Sequence, residues 1–310
     1  MKYAVLGAGG TGGMIGFQMA EAGKDVTLIA RGEHLEAIRK NGLTVSRIWC
    51  HTRKTVRIPA FLAEEYDERP DVIFVCVKGY SVDGIIPFLQ RVSGPETVII
   101  PILNIFGTGG RLQKDLPGVT VTDGCIYVAS SIKSPGVIVQ NGEILRVIFG
   151  IRCGETCDEQ TAAKLKRIEQ DLKDSKIDGR FSDHIERDCL QKFSYVSPAG
   201  AAGLFYNAKS KELQTEGPAR EMFKAMIAEI TDLAAAMGYP FDNDYVKINL
   251  DILGRLDPAS DTSMQRDVAA GKESELDGMV FEVVRLCDQY DVAAPTYRMA
   301  AELLGKKYNS

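Results

Sequence analysis

The chain has 310 residues, 45% hydrophobic and 25% charged, with 37 Lys and Arg against 42 Asp and Glu for a formal net charge of −5. That length suits two ordinary domains better than one, and the balance is that of a soluble globular protein. The absence of any basic run excludes nucleic acid as an expected partner, and the absence of an apolar stretch of about 18 residues excludes a membrane partner, so the expected compartment is cytoplasmic.

The seven cysteines are odd in number, scattered and without a CxxC pair, and the three histidines His34, His51 and His184 have no ligand spacing. Neither a disulfide framework nor a metal site is expected.

In chain order, the first half alternates short apolar runs with amphipathic stretches, as βαβ units do. Strands are expected at Tyr3 to Gly7, Asp25 to Ala30, Val72 to Val77, Val98 to Ile102 and Val119 to Thr122, with a small-residue helix from Gly12 to Ala22 stopped by Gly23. From Asp123 to Gly150 the texture is β-like. Turn signals at Ser134-Pro135-Gly136 and Asn141-Gly142 suggest antiparallel strands closing the far edge of the sheet. From about His184 onward helical periodicity takes over. Pro218 to Met237 carries apolar residues at helical spacing with Gly238 just beyond, and Ser274 to Asp277 reads as a capping box opening a helix through Cys287. The expected fold is α/β: a Rossmann-type doubly wound sheet domain over 1–180, followed by an all-helical domain over 181–310. A ligand cleft is expected between them.

Gly7-Ala8-Gly9-Gly10-Thr11-Gly12 is a GxGxxG preceded by the apolar strand Tyr3-Ala4-Val5-Leu6 and followed by a helix. In that context Gly7 permits the tight turn, Gly9 lets a pyrophosphate approach the backbone, and Gly12 lets the helix pack on the strand. At the end of the second strand a carboxylate would bind the ribose hydroxyls of NAD, but the strand ends Leu28-Ile29-Ala30-Arg31. A guanidinium there can clasp a 2′-phosphate, which points to NADP(H).

These motifs, together with Val77-Lys78, Asn104 with Gly107, Gly136, Lys192 and the run Ser263-Met264-Gln265-Arg266-Asp267 followed by Gly271-Lys272 and Ser274-Glu275, resemble in order those of the ketopantoate reductase family (2-dehydropantoate 2-reductase). The resemblance runs nearly end to end. It implies NADPH-dependent reduction of 2-dehydropantoate to pantoate in pantothenate biosynthesis, a small 2-oxo acid being the substrate.

The resemblance makes Lys192 the general acid, Glu275 the carboxylate that orients it and bonds a substrate hydroxyl, and Ser263 a substrate-carboxylate contact that could equally be a helix N-cap. It places Asn104 near both cofactor and substrate and Lys78 toward the cofactor. A protonated amine is the right group for this, because hydride delivery to a ketone leaves developing negative charge on oxygen. Two departures stand out. The family's asparagines four and eight residues after the lysine are Val196 and Gly200, and the loop after Asn104 carries the bulky pair Ile105-Phe106. Asn207 is the candidate substitute for substrate binding. The alternatives are a reductase of a more apolar 2-oxo acid and a catalytically silent NADPH-binding sensor. Trp49 carries no assignment beyond packing. The apolar helices of the second domain would permit a homodimer, although its own core needs the same stripes.

Overall fold

The computed structural model describes residues 1–308. Its strands are β1 (Lys2–Leu6), β2 (Asp25–Ile29), β3 (Leu43–Arg47), β4 (Thr52–Val56), β5 (Ala60–Phe61), β6 (Val72–Val75), β7 (Val98–Pro101), β8 (Thr120–Val121), β9 (Asp123–Ser134), β10 (Val137–Gly150) and β11 (Asp178–Phe181). Helices of the first half are α1 (Gly10–Glu21), α2 (Gly32–Asn41), α3 (Val82–Val92), α4 (Thr108–Asp115) and α5 (Glu159–Asp174). Those of the second are α6 (Ile185–Tyr206), α7 (Ser210–Gln214), α8 (Pro218–Ala236), α9 (Tyr245–Gly254), α10 (Ser263–Ala269), α11 (Glu282–Gln289) and α12 (Pro295–Tyr308).

The described residues form two compact units, one of residues 1–103 and 107–185 and the other of residues 104–106 and those from 186 onward. Sequence patterning divides the chain at 180/181. In the structure β11 pairs in parallel with β10, and Ile185 packs at Gly150, which carries the first unit on to residue 185.

The main sheet runs β5-β2-β1-β6-β7-β8, all parallel, which is the 3-2-1-4-5-6 order of a doubly wound dinucleotide fold when only its own strands are counted. Both faces are buried. Along β1, Tyr3 and Val5 enter one core while Ala4 and Leu6 enter another, the two-residue alternation of a strand covered on both sides. Leu35 and Ile38 of α2 and Leu165, Ile168 and Leu172 of α5 fill the first core; Val82 and Leu89 of α3 and Leu112 of α4 fill the second.

The β-like material from 123 to 150 does not close the far edge of the main sheet, where β8 lies. It builds a second sheet in the order β11-β10-β3-β4, with β9 antiparallel to β10. Asn141-Gly142 is also not a turn. The strand β10 runs through it, and the pairing register shifts between Gln140 and Leu145, so the glycine marks an irregularity and the hairpin reverses at Pro135-Gly136 instead.

The helical unit packs around Phe223, Met226, Ile227 and Ile230 of α8. The buried carboxylate of Glu229 accepts the backbone amides of Thr296 (2.8 Å) and Tyr297 (3.0 Å), fastening α8 to the first turn of α12. Such bonds satisfy helix-start donors that would otherwise be orphaned. Ahead of α11, residues Asp277–Phe281 form a π-helical turn. The amide of Met279 bonds to the carbonyl of Glu275 (2.9 Å), so Glu275, rather than the Ser274 of the expected capping box, supplies the first helical acceptor.

Candidate active site

In the first unit, β1 runs into Gly7 at φ 99°, where a side chain would stand 2.9 Å from the Cys76 carbonyl oxygen. A Cβ on Gly12 would fall 2.1 Å from the Gly7 carbonyl oxygen, so α1 presses directly on the turn. Gly9 is the opposite case, with nothing within 4 Å of the Cβ position and open space above its backbone. Gly10 begins α1, so the first-turn amides and the positive end of a helix of 12 residues lie beside that space. Ala8 is buried and Thr11 half-buried. Burial pushes the Cys76 thiol up, keeping it neutral behind the loop.

Arg31 is exposed just past β2 and takes the N-cap position of α2; it enters none of the ion pairs found among the described residues. Glu33, also exposed, lies in the first turn of α2. Lys78 is half-buried past β6, at the start of the 3₁₀ turn Gly79–Ser81.

In the helical unit, Lys192 lies in the third turn of α6 with 7% of its surface exposed, and its ammonium donates to Oδ1 of Asn104. Asn104 stands past the end of β7, in the three-residue segment that belongs to this unit. The bulk that follows it goes into the helical core: Ile105 sits where a Cβ on Gly278 would be (2.4 Å to Cδ1), and Phe106 packs against the same core. Gly278 in the π-helical turn thus makes room for the loop. Glu275 is 4% exposed immediately before that turn. Ser197, one turn and a half beyond Lys192 on α6, donates to the carbonyl of Met279 and shares a hydrogen bond with the hydroxyl of the buried Tyr297 (2.6 Å), holding the unusual turn to α6. Turns of this kind recur at functional sites.

Ser263 is not the cap of its helix. Thr262 is, accepting from the amide of Gln265 (3.3 Å) while Gln265 accepts from the Thr262 amide (3.0 Å), which leaves the Ser263 hydroxyl at the first helical position outside the cap. The neighbouring Met264 is buried, with its methyl 2.6 Å from the Cβ position of Gly200, and Gln265 lies as close to Gly203. The side of α6 that carries Gly200 and Gly203 is therefore filled by α10.

Asn207 does something else. It is exposed at φ 51° and ends α6, with the amide of Ala208 bonding back to the carbonyl of Gly203 (2.8 Å). That is a Schellman termination, with Asn in the left-handed position. Fifteen residues of helix separate it from Lys192, about 22 Å at 1.5 Å per residue, beyond the span of one small oxo acid.

Among the described residues no group of three His, Cys, Asp or Glu side chains is arranged to hold a metal ion, and no helix is long and apolar enough to cross a membrane.

Known sequences match both units. The family description "Ketopantoate reductase PanE/ApbA" fits residues 3–152, and its C-terminal counterpart fits residues 184–308. The chain belongs to the ketopantoate reductase family. It is an oxidoreductase of that family, and the doubly wound sheet with a helical C-terminal domain is the family's fold. Among curated ketopantoate reductase relatives it is 24% identical over 305 residues to the 2-dehydropantoate 2-reductase of Pyrococcus horikoshii, covering 95% of this chain and 93% of that one. An uncharacterized oxidoreductase, YkpB of Bacillus subtilis, is 27% identical over 298 residues, 95% of each chain. Among solved structures, D-mandelate dehydrogenase with NADH and anilino(oxo)acetate superposes with a TM-score of 0.87 at 21% identity, over 100% of this chain and 99% of that one.

Proposed function

We propose that the protein reduces a 2-oxo acid to the 2-hydroxy acid with NADPH, 2-dehydropantoate being the substrate and pantoate the product. The observation that carries this reading is the buried Lys192 ammonium bonded to Asn104. A buried charge is costly unless it is held by polar partners, and an ammonium so held is poised to donate. The open backbone at Gly9 beside the start of α1 fits a dinucleotide pyrophosphate, and residues 7–12, Arg31, Lys78 and Asn104 are the ones that would hold the coenzyme. When bound, the nicotinamide supplies the hydride that C2 of the oxo acid accepts.

The chain's own groups do the rest. Lys192 gives a proton to the carbonyl oxygen as negative charge develops there, leaving a neutral amine that solvent reprotonates. Asn104 fixes the ammonium's direction through its amide oxygen, Glu275 orients the lysine and the substrate hydroxyl, and Ser263 binds the substrate carboxylate. Arg31 favours NADPH by pairing with the 2′-phosphate. Asn207 is not part of this set.

A second reading within the same chemistry is a more apolar 2-oxo acid. It is favoured by Met264 filling the space at Gly200, and by Val196, one turn after Lys192, packing against the helical core. The test of both is NADPH oxidation with 2-dehydropantoate and with 3,3-dimethyl-2-oxobutanoate, which has the same skeleton without the hydroxyl, using wild type and Lys192→Ala. Turnover of neither substrate would end the proposal, and a preference for the second would decide for the apolar reading.

A further inference from the structure

We infer that His34 is a positioning residue that sets the Ala8–Gly9 peptide for a dinucleotide phosphate. This rests on the NADPH-binding reading above. His34, in the first turn of α2, touches two backbone groups on opposite sides of its ring: the amide of Gly136 points at Nδ1 (3.0 Å) and Nε2 faces the carbonyl oxygen of Ala8 (2.9 Å). A backbone amide only donates and a carbonyl only accepts, so the network assigns an unprotonated Nδ1 and an Nε2–H that donates to Ala8. Burial keeps the ring on the neutral side of its ordinary range.

Gly136 is itself held firmly. It sits at φ 73° at the tip of the β9–β10 hairpin, its carbonyl accepts from Thr44 (2.9 Å), and its Cβ position is 3.0 Å from Ala37 on α2. The imidazole therefore transmits the position of a fixed hairpin to the glycine loop.

The consequence lies in the geometry of one peptide group. In a planar trans peptide the N–H points opposite to the C=O. Tying the Ala8 carbonyl to His34 therefore turns the Gly9 amide away from α2, and Gly9 is the loop residue whose Cβ position is open. Its neighbours are confined, since a Cβ on Gly7 or Gly10 would meet the Cys76 or Ser130 carbonyl within 3 Å. A peptide with no tie could rotate between orientations, and the phosphate would have to select one of them. With the tie, that selection is made before binding.

The experiment is NADPH affinity by fluorescence titration, with steady-state kinetics, for wild type, His34→Leu and His34→Gln. Glutamine can both donate to Ala8 and accept from Gly136, whereas leucine can do neither. The expected result is a Kd and KM for NADPH raised about tenfold in His34→Leu, kcat at saturating coenzyme within about twofold of wild type, and most of the affinity restored in His34→Gln. Unchanged affinity in His34→Leu, or a glutamine variant as weak as the leucine one, would overturn the assignment.

An independent measurement uses the folded wild-type protein: ¹⁵N-histidine spectra, identified by the resonance missing in His34→Gln, should show the Nε2–H form and a shift at that nitrogen on adding NADPH. A ring resonance indifferent to NADPH in a protein that binds it would refute the inference alone. Failure of wild type to bind any nicotinamide dinucleotide would remove the underlying reading and the inference with it.

Discussion

Lys192 donates to the amide oxygen of Asn104, a residue 88 positions earlier in the chain. An amide oxygen holds an ammonium without neutralising it, which keeps the proton that the proposed reaction transfers. Lys192→Ala should cost about 10²- to 10⁴-fold in kcat, the usual span for a lost general acid. Asn104→Ala, which keeps the lysine and removes its guide, should cost less, roughly 10-fold or more, and stopped-flow measurement of the hydride step would report both.

Coenzyme choice should reside in Arg31. With no carboxylate ending β2 and an exposed guanidinium just beyond it, Arg31→Ala should raise the NADPH Kd by roughly 10- to 100-fold, the worth of a charge-assisted bond. The Kd for NADH should hardly move. Equal losses for the two coenzymes, read by calorimetry, would show that Arg31 does not read the 2′-phosphate.

Asp171 offers a test at the level of stability. Its buried carboxylate accepts from the Tyr3 hydroxyl (2.6 Å) and Lys24 (2.8 Å) and pairs with Arg167 (3.1 Å). Burial opposes the charge, but the bonds from Lys24 and Tyr3 outweigh it and hold the carboxyl below its ordinary range. A carboxyl depressed in the folded state contributes fully above its unfolded value of about 3.9, and the contribution is lost as pH falls through the folded value. Asp171→Ala should therefore lower unfolding free energy by about 1–3 kcal/mol at pH 7, chiefly because the buried Tyr3 hydroxyl loses its acceptor, and by less once the pH falls below the carboxyl's folded value, as urea titrations at neutral and acidic pH would show.

Tyr66 gives the opposite sign. It is 1% exposed among Phe61 and Phe88, and its hydroxyl has no hydrogen-bond partner among the described residues. Removing a buried polar group that lacks a partner should be neutral or stabilising by up to about 1 kcal/mol. A Tm for Tyr66→Phe clearly below wild type would mean that the hydroxyl is satisfied.

Substrate selectivity should respond to the Gly200–Met264 contact. Gly200→Asn alone forces the Met264 side chain aside, while Gly200→Asn with Met264→Ala opens room for the amide. The double variant should shift the kcat/KM ratio toward 2-dehydropantoate over its deoxy analogue by about tenfold, the scale of one buried hydrogen bond.

Much of this was legible in the sequence where periodicity and glycine chemistry are strong. The apolar strands β1, β2, β6 and β7 and the loop from Gly7 to Gly12 declare themselves. The second sheet does not, because β4 reads Thr-Arg-Lys-Thr-Val, exposed over most of its length and without apolar alternation, and β11 has only four residues. Trp49 lies in the turn between β3 and β4 for the same reason: nothing local announces the hairpin. Thr262 and Gln265 have the residue types and spacing of a capping box, so the cap falls on Thr262 and not on Ser263. The residue type of Asn207 suggests a substrate amide, whereas its left-handed backbone is a tertiary fact. His34 had no signal at all, since its partners are backbone groups 26 and 102 positions away.

The three-residue excursion of Asn104 to Phe106 into the helical unit has a consequence for how the protein can be divided. The polypeptide passes between the units at 103/104, 106/107 and 185/186, so no single cut yields two whole pieces. A fragment ending at 185 would keep Ile105 and Phe106 but lose the helical core they fill, and a fragment beginning at 186 would lack the amide that holds Lys192. The helical unit is discontinuous in sequence, so neither half of the chain carries the whole of that unit's core.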